Sequence, residues 1–256
     1  MKELFTVKLL FFLVFIMLTG VSMLAGKMAD GPGIHEETLT LKNGRKMRYT
    51  LSIPGSYSQQ PVPLVLALHY GGQVTPYYGR GVLACLIEPG LRELGAIIAA
   101  PDCPATGAQG WANPGSEAAV LELLEHIRKN YRIDSKKIIV TGFSMGGIGA
   151  WYLAARHPGL FSAAIPIAGD SDEETVNKIG DIPLYVIHSR ADTILPITNT
   201  EKIVASLKSK GRAVEFVVLK NVDHYDTSGF TTALRGAVPW LKKVRSKQKR
   251  TASAPY

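Results

Sequence analysis

Cysteine is scarce in this chain: only Cys85 and Cys103 occur among 256 residues, and they form no C-x-x-C pair. A zinc ribbon, a thioredoxin-type redox site and a small disulfide-stapled scaffold are thereby excluded. Charged residues make up 20% of the chain and hydrophobic residues 46%, which excludes a disordered or collagen-like polymer. No internal repeat is present, and no cluster of His, Cys, Asp or Glu has metal-ligand spacing, so neither a metal nor another cofactor is expected. Net positive charge is also scarce in the body of the chain. Of the net +8, six charges lie on Lys242, Lys243, Arg245, Lys247, Lys249 and Arg250, and one more comes from Lys2 and Lys8 against Glu3, leaving the body near +1. A basic face for nucleic acid is therefore not expected, and residues 245–256 read as a basic flexible tail.

One long apolar run stands out. Lys2 and Lys8 precede LLFFLVFIML at 9–18, followed by small residues, so residues 1–26 read as a signal peptide, with Gly20/Ser22 and Met23/Ala25 as approximate cleavage pairs. The stretch 9–25 approaches the length needed to span a bilayer, which makes an uncleaved anchor the alternative. The expected location is secreted or periplasmic, with membrane contact only if the leader is retained. An oxidising compartment would allow Cys85 to pair with Cys103.

Residues 27–244 read as a single domain. Asn43-Gly44 joins two strands across 37–54, the strongest short hairpin signal. After it, short apolar runs at 63–69, 96–101, 137–143, 162–169, 183–189 and 213–219 alternate with amphipathic helices at 82–94, 116–130, 145–156, 197–210 and about 229–242. Continuously apolar strands separated by helices predict an α/β fold with a mostly parallel, doubly wound sheet and an antiparallel N-terminal hairpin. The loops 70–81 and 102–114 both follow the carboxyl ends of strands, where sites in such sheets lie.

Gly142-Phe143-Ser144-Met145-Gly146 matches G-x-S-x-G between an apolar strand and an apolar helix, the setting that gives this common pattern its meaning. Such an elbow lifts the Ser144 hydroxyl to a helix amino terminus, where backbone N–H groups favour developing negative charge. Serine alone is a weak nucleophile and needs a base and an orienting acid. Asp192 follows the penultimate strand and His224 the last, so Ser144, Asp192 and His224 have the expected order and positions. Asp170, one strand earlier, is the competing acid, while Asp223 and Asp226 flank the histidine as weaker ones. Met145 N–H is one candidate oxyanion donor; the other comes from the loop His69-Tyr70-Gly71-Gly72, with Gly71 first and Tyr70 second. Trp111, Tyr77 and Tyr78 lie at the same sheet edge and are candidate substrate-lining residues, against the alternative that they pack on their own loops.

LALHYGG, GFSMGG, HSRADTILP and VDHYD together resemble blocks of the α/β-hydrolase superfamily. They are similar in particular to small secreted esterases of the polyhydroxybutyrate depolymerase, feruloyl esterase and acetyl xylan esterase group, and to the phospholipase/carboxylesterase family. Two departures occur: HYGG replaces the frequent H-G-x-G, and His188-Ser189-Arg190-Ala191-Asp192 replaces H-G-x-x-D. About a dozen residues between the strands at 162–169 and 183–189 leave no room for a cap domain. The resemblance implies a serine carboxylesterase acting through a Ser-His-Asp triad and an acyl-enzyme on short-acyl or aryl esters, small or polymer-attached. A peptidase or thioesterase on the same fold, and a non-catalytic exported binding module, are the alternatives.

Overall fold

Asn43 and Gly44 turn the first hairpin: Gly44, at φ +81°, donates its N–H to Leu41 O, and Asn43 Oδ1 accepts from Arg45 N. Strands β1 (Gly33–Thr40) and β2 (Lys46–Ile53) pair antiparallel from Gly33 opposite Ile53 to Thr40 opposite Lys46. A computed structural model describes residues 29, 31–58, 60–105 and 110–252, without the side chains of 247–252, so the leader read over 1–26 lies outside the described residues. The chain divides into a unit ending at Asp30 and one beginning at Gly31, to which every element below belongs.

The remaining strands are β3 (Val62–Leu68), β4 (Ile97–Pro101), β5 (Ile133–Phe143), β6 (Ala163–Ile167), β7 (Leu184–Ser189) and β8 (Val214–Leu219). They form one eight-stranded sheet in the order β1-β2-β4-β3-β5-β6-β7-β8. Pairing is antiparallel up to β2/β4 and parallel from β4/β3 onward. The register sets Leu68 beside Gly142, Phe143 beside Ile167 and Ser189 beside Leu219, so the carboxyl ends of β3, β5, β6, β7 and β8 finish along one edge. Between β6 and β7 the chain holds only a five-residue helix, Glu173–Asn177, and no cap.

Alternate strand residues bury on opposite faces. Val65, Ala67, Ile98, Ala100, Ile139, Ile165 and Ile187 join a core with helix residues Leu83, Leu86, Phe230, Leu234 and Leu241. Leu64, Leu66, Leu68, Ile138 and Val140 are equally buried on the other face. Covering the first face are α1 (residues 79–94), α6 (Thr227–Arg235) and α7 (Ala237–Ala252). The other three long or central helices are α2 (Pro114–Asn130), α3 (Met145–Arg156) and α5 (Thr198–Ser209), with Glu173–Asn177 as α4. Asn113 caps α2, accepting from Gly115 N and Ser116 N ahead of Pro114 at the first turn.

Two expectations change, and a cysteine pairing left open by the sequence is not formed. The helix expected over 82–94 starts at 79 and contains a π turn over Leu83–Ile87. Pro89 has no N–H to give the Cys85 carbonyl four residues back, and the Thr231 hydroxyl donates to that carbonyl instead. The last helix is two, broken at Gly236, and it does not end near 242: residues 245–252, expected as unstructured tail, continue α7. Lys, Arg and Gln favour helix once a turn is nucleated, and the charge density masked that propensity. Finally, both thiols are free; Cys103 is buried near Ser116 Oγ at 3.7 Å and Cys85 is exposed. Among the described residues no helix is long and apolar enough to cross a membrane.

α2 and α3 are clamped through one carboxylate. Glu117, nearly buried, accepts from Arg156 Nε at 2.7 Å, the Tyr152 hydroxyl at 2.8 Å and His157 Nε2 at 2.8 Å. Burial pushes the Glu117 carboxyl up, but these three donors outweigh it and hold its pKa below the ordinary 4.5. A depressed folded-state value means that the clamp stabilises the fold fully above about that pH and is lost as pH falls through the depressed value. Glu117→Gln is expected to lower the unfolding free energy by about 2 kcal/mol at pH 7, with the gap to wild type shrinking below pH 4 in urea titrations. A gap that persists unchanged at low pH would contradict the clamp.

Candidate active site

Strand β5 delivers Phe143 to the sheet edge, and the chain then turns within one residue into α3. Ser144 makes that turn at φ +56°, ψ −118°, a conformation that costs about 1–3 kcal/mol for a non-glycine residue. The Ser144 N–H donates to Ile167 O at 2.9 Å, and its carbonyl accepts from Ile148 N at 3.0 Å. Gly142 and Gly146 permit the crossing: a Cβ on Gly146 would strike the Leu68 carbonyl, and one on Gly142 the Gly146 carbonyl. Helix α3 thus begins directly against the end of β3.

His224, buried in the loop after β8, meets Ser144 across this edge. Asp192 is a carboxylate that can only accept, so His224 Nδ1–H donates to Asp192 Oδ2 at 2.7 Å. That fixes the tautomer, leaving Nε2 to accept the Ser144 hydroxyl proton at 2.9 Å. Asp192 Oδ1 is held by two further donors, Ile194 N at 3.0 Å and Leu195 N at 2.8 Å. His188, fully buried, bonds Leu195 O through Nε2, accepts the Thr200 hydroxyl at Nδ1, and lies 3.4 Å from Asp192 Oδ2. The structure therefore brings Ser144, His224 and Asp192 into one hydrogen-bonded line. The competing acids are occupied elsewhere: Asp170 accepts from Ser171 N and Asn199 Nδ2, and Asp223 from Tyr225 N.

The loop after β3 faces the start of α3. A Cβ placed on Gly71 would lie 3.9 Å from Met145 Cβ, so Gly71, the first candidate donor, lies against the first residue of α3. Tyr70, the second candidate donor, sets its ring edge-on to Phe143 at 6.3 Å; burial pushes its hydroxyl pKa up. His69, fully buried, donates Nδ1–H to Tyr70 O at 2.6 Å and accepts Cys103 N–H at Nε2, at 2.9 Å. Both bonds suit a neutral imidazole, and burial pushes the His69 pKa down.

A cavity of about 450 Å³ opens beside Ser144, lined by Tyr70, Gly71, Phe143, Ile194, His224 and Tyr225, with Cys85 and Thr227 completing the wall. Trp111, Tyr77 and Tyr78, the sequence candidates for this lining, are not in it. Trp111 is buried and donates Nε1–H to His69 O; the Tyr78 hydroxyl donates to Gly71 O. Sequence reasoning missed Cys85, Ile194, Tyr225 and Thr227. Ile194 and Tyr225 are large hydrophobic residues left 49% and 76% exposed; Tyr225 directly follows His224 and Ile194 lies two residues after Asp192, a signal that the sequence did carry. Among the described residues no group of three or more His, Cys, Asp or Glu could hold a metal ion.

Residues 100–248 match the dienelactone hydrolase family. A probable feruloyl esterase C from Aspergillus terreus is 29% identical over 192 residues, covering 69% of this chain and 67% of its own length. A probable acetylxylan esterase A from Aspergillus flavus is 26% identical over 137 residues, covering 50% of this chain and 43% of its own. Among solved structures, a thermostable esterase superposes with a TM-score of 0.69 at 27% identity, covering 82% of this chain and 62% of that one. A ferulic acid esterase with a TM-score of 0.65 at 20% identity shares the fold. The chain thus spans about two thirds or less of the length of the first three of these.

The elbow itself is testable apart from any chemistry. Gly146→Ala would drive a methyl group into backbone that cannot yield, and is expected to lower the unfolding free energy by about 3 kcal/mol in urea titrations. A loss under 1 kcal/mol would contradict the close crossing of α3 over β3.

Proposed function

The chain belongs to the dienelactone hydrolase family, and we propose that it hydrolyses carboxylic esters through an acyl-enzyme, with Ser144 as nucleophile, His224 as general base then acid, and Asp192 as its orienting partner. The observation that carries this reading is the hydrogen-bonded line from Asp192 Oδ2 through His224 to Ser144 Oγ, at 2.7 and 2.9 Å. As Ser144 Oγ bonds to the ester carbonyl carbon, its proton passes to His224 Nε2, and the imidazolium is stabilised by Asp192. The tetrahedral oxyanion lies at the start of α3, where Met145 N–H and Gly71 N–H can donate. Collapse expels the alcohol, which takes the proton from Nε2. Water then repeats the cycle on the acyl-enzyme, releasing the acid and restoring Ser144.

Short-acyl or aryl esters fit the site best. The cavity of about 450 Å³ is walled by Tyr70, Phe143 and Tyr225, enough for an aromatic or short aliphatic group but shallow for a long lipid chain. The β6–β7 connection carries no cap, so a bulky or polymer-attached alcohol would remain outside. The leader read from residues 1–26 supports an exported location. The names of the feruloyl and acetylxylan esterase relatives agree with an ester of this kind.

Hydrolysis of p-nitrophenyl esters from acetate to palmitate tests the reading. Turnover is expected with short and aryl acyl groups and to fall steeply toward palmitate. Ser144→Ala is expected to lower kcat by about four to six orders of magnitude, and Asp192→Asn by about four, while Asp170→Asn stays within about twofold. Activity retained in Ser144→Ala would sink the mechanism, and loss with Asp170→Asn in place of Asp192→Asn would reassign the acid. Turnover of p-nitroanilides at a comparable rate would favour a peptidase.

A further inference from the structure

Gly71 has no side chain to fix it, and a glycine in an exposed loop samples a wide range of φ and ψ. A donor to a transition-state oxyanion has to be held in place before the reaction, because its value lies in not having to reorganise. The question is what holds the Gly71 N–H. Two peptide planes meet at its Cα. In the first, the Tyr70 carbonyl is bonded by His69 Nδ1–H at 2.6 Å; in a trans peptide the N–H of Gly71 points the opposite way from that carbonyl. In the second, the carbonyl of Gly71 itself is bonded by the Tyr78 hydroxyl at 3.3 Å. The rings that make these bonds touch edge to face, His69 and Tyr78 having centroids 4.8 Å apart at 85°.

Tyr78 is in turn fixed by backbone on either side. Tyr77 N–H donates to Asp102 Oδ2 at 2.8 Å and Gly79 N–H to Asp102 Oδ1 at 3.1 Å. Asp102 is 6% exposed and is also bonded by Arg48 Nε at 3.2 Å. The next residue, Cys103, gives its N–H to His69. Two consecutive residues at the end of β4 thus govern both anchors. Tyr78 is not among the residues that line the cavity; its hydroxyl bonds the carbonyl of Gly71, which does.

We propose that Tyr78 is a positioning residue for catalysis: its hydroxyl, held in place by Asp102, fixes the Gly71–Gly72 peptide and, with His69 on the preceding plane, aims the Gly71 N–H at the oxyanion. This rests on the acyl-transfer reading of the same site. It assigns Tyr78 an effect on the transition state and little on ground-state binding, so the hydroxyl should influence kcat and not KM.

The test is Tyr78→Phe, which removes the hydroxyl and keeps the ring that packs on His69. Steady-state kinetics on p-nitrophenyl acetate, inhibition by phenylboronic acid as a tetrahedral oxyanion mimic, and thermal unfolding are measured on the full chain, with Ser144→Ala as blank. The expected result is a kcat lower by about tenfold, less than the 10²–10³ typical of deleting a donor outright. The boronic acid should weaken by a similar factor, with KM within about twofold and Tm nearly unchanged. A kcat within twofold of wild type overturns the proposal, as does a lower kcat without weaker boronic acid binding. Turnover persisting in Ser144→Ala overturns the acyl-transfer reading itself, and the role of Tyr78 with it.

Discussion

Everything at the sheet edge depends on how closely α3 starts against the end of β3. With glycine at 142 and 146, the helix begins where the Leu68 carbonyl would otherwise exclude it, and Ser144 adopts φ +56° to make the turn. The strain is about 1–3 kcal/mol, offset by burial of Met145, Ala150, Trp151 and Leu153 beneath the helix. From that one approach follow the placement of the Ser144 hydroxyl beside the cavity, the Met145 N–H at a helix terminus, and the neighbouring position of Gly71.

The electrostatics of the site come from giving each buried carboxylate a full set of donors. Asp192 could serve as an isolated buried charge only at great cost; two backbone donors and His224 satisfy it. Asp102 is buried to a similar degree but spends its oxygens on Tyr77, Gly79 and Arg48. The two carboxylates thus have different work: one orients an imidazole, the other organises a loop. Glu117 does the same between helices, away from the site.

The order of strands and helices was readable because each apolar run ends at a turn signal, and helix 145–156 begins and ends as its pattern requires. Ser144, Asp192 and His224 could be singled out because each follows a strand on the same edge, and chain order does the rest. The aromatics of the loops were not readable. Trp111, Tyr77 and Tyr78 look alike as loop residues, and what turns them from the cavity is non-local: the Asp102 carboxylate at the end of β4, and the His69 carbonyl at the end of β3. The π turn that brings Cys85 to the cavity has a local cause in Pro89, but its outcome depends on Thr231, 146 residues further on. The helix over 245–252 was hidden for the opposite reason: its dense like charge argues against order, while the helix propensity of its Lys, Arg and Gln residues argues for it.

The most direct test of the account is covalent labelling of the intact chain by an alkyl fluorophosphonate, followed by peptide mapping. Fluoride leaves as the serine oxygen bonds to phosphorus, and only a serine activated by its neighbours reacts quickly. The account predicts one adduct per chain, on Ser144, formed at a rate that collapses in His224→Ala. No adduct in folded protein, or an adduct on another serine, would contradict it.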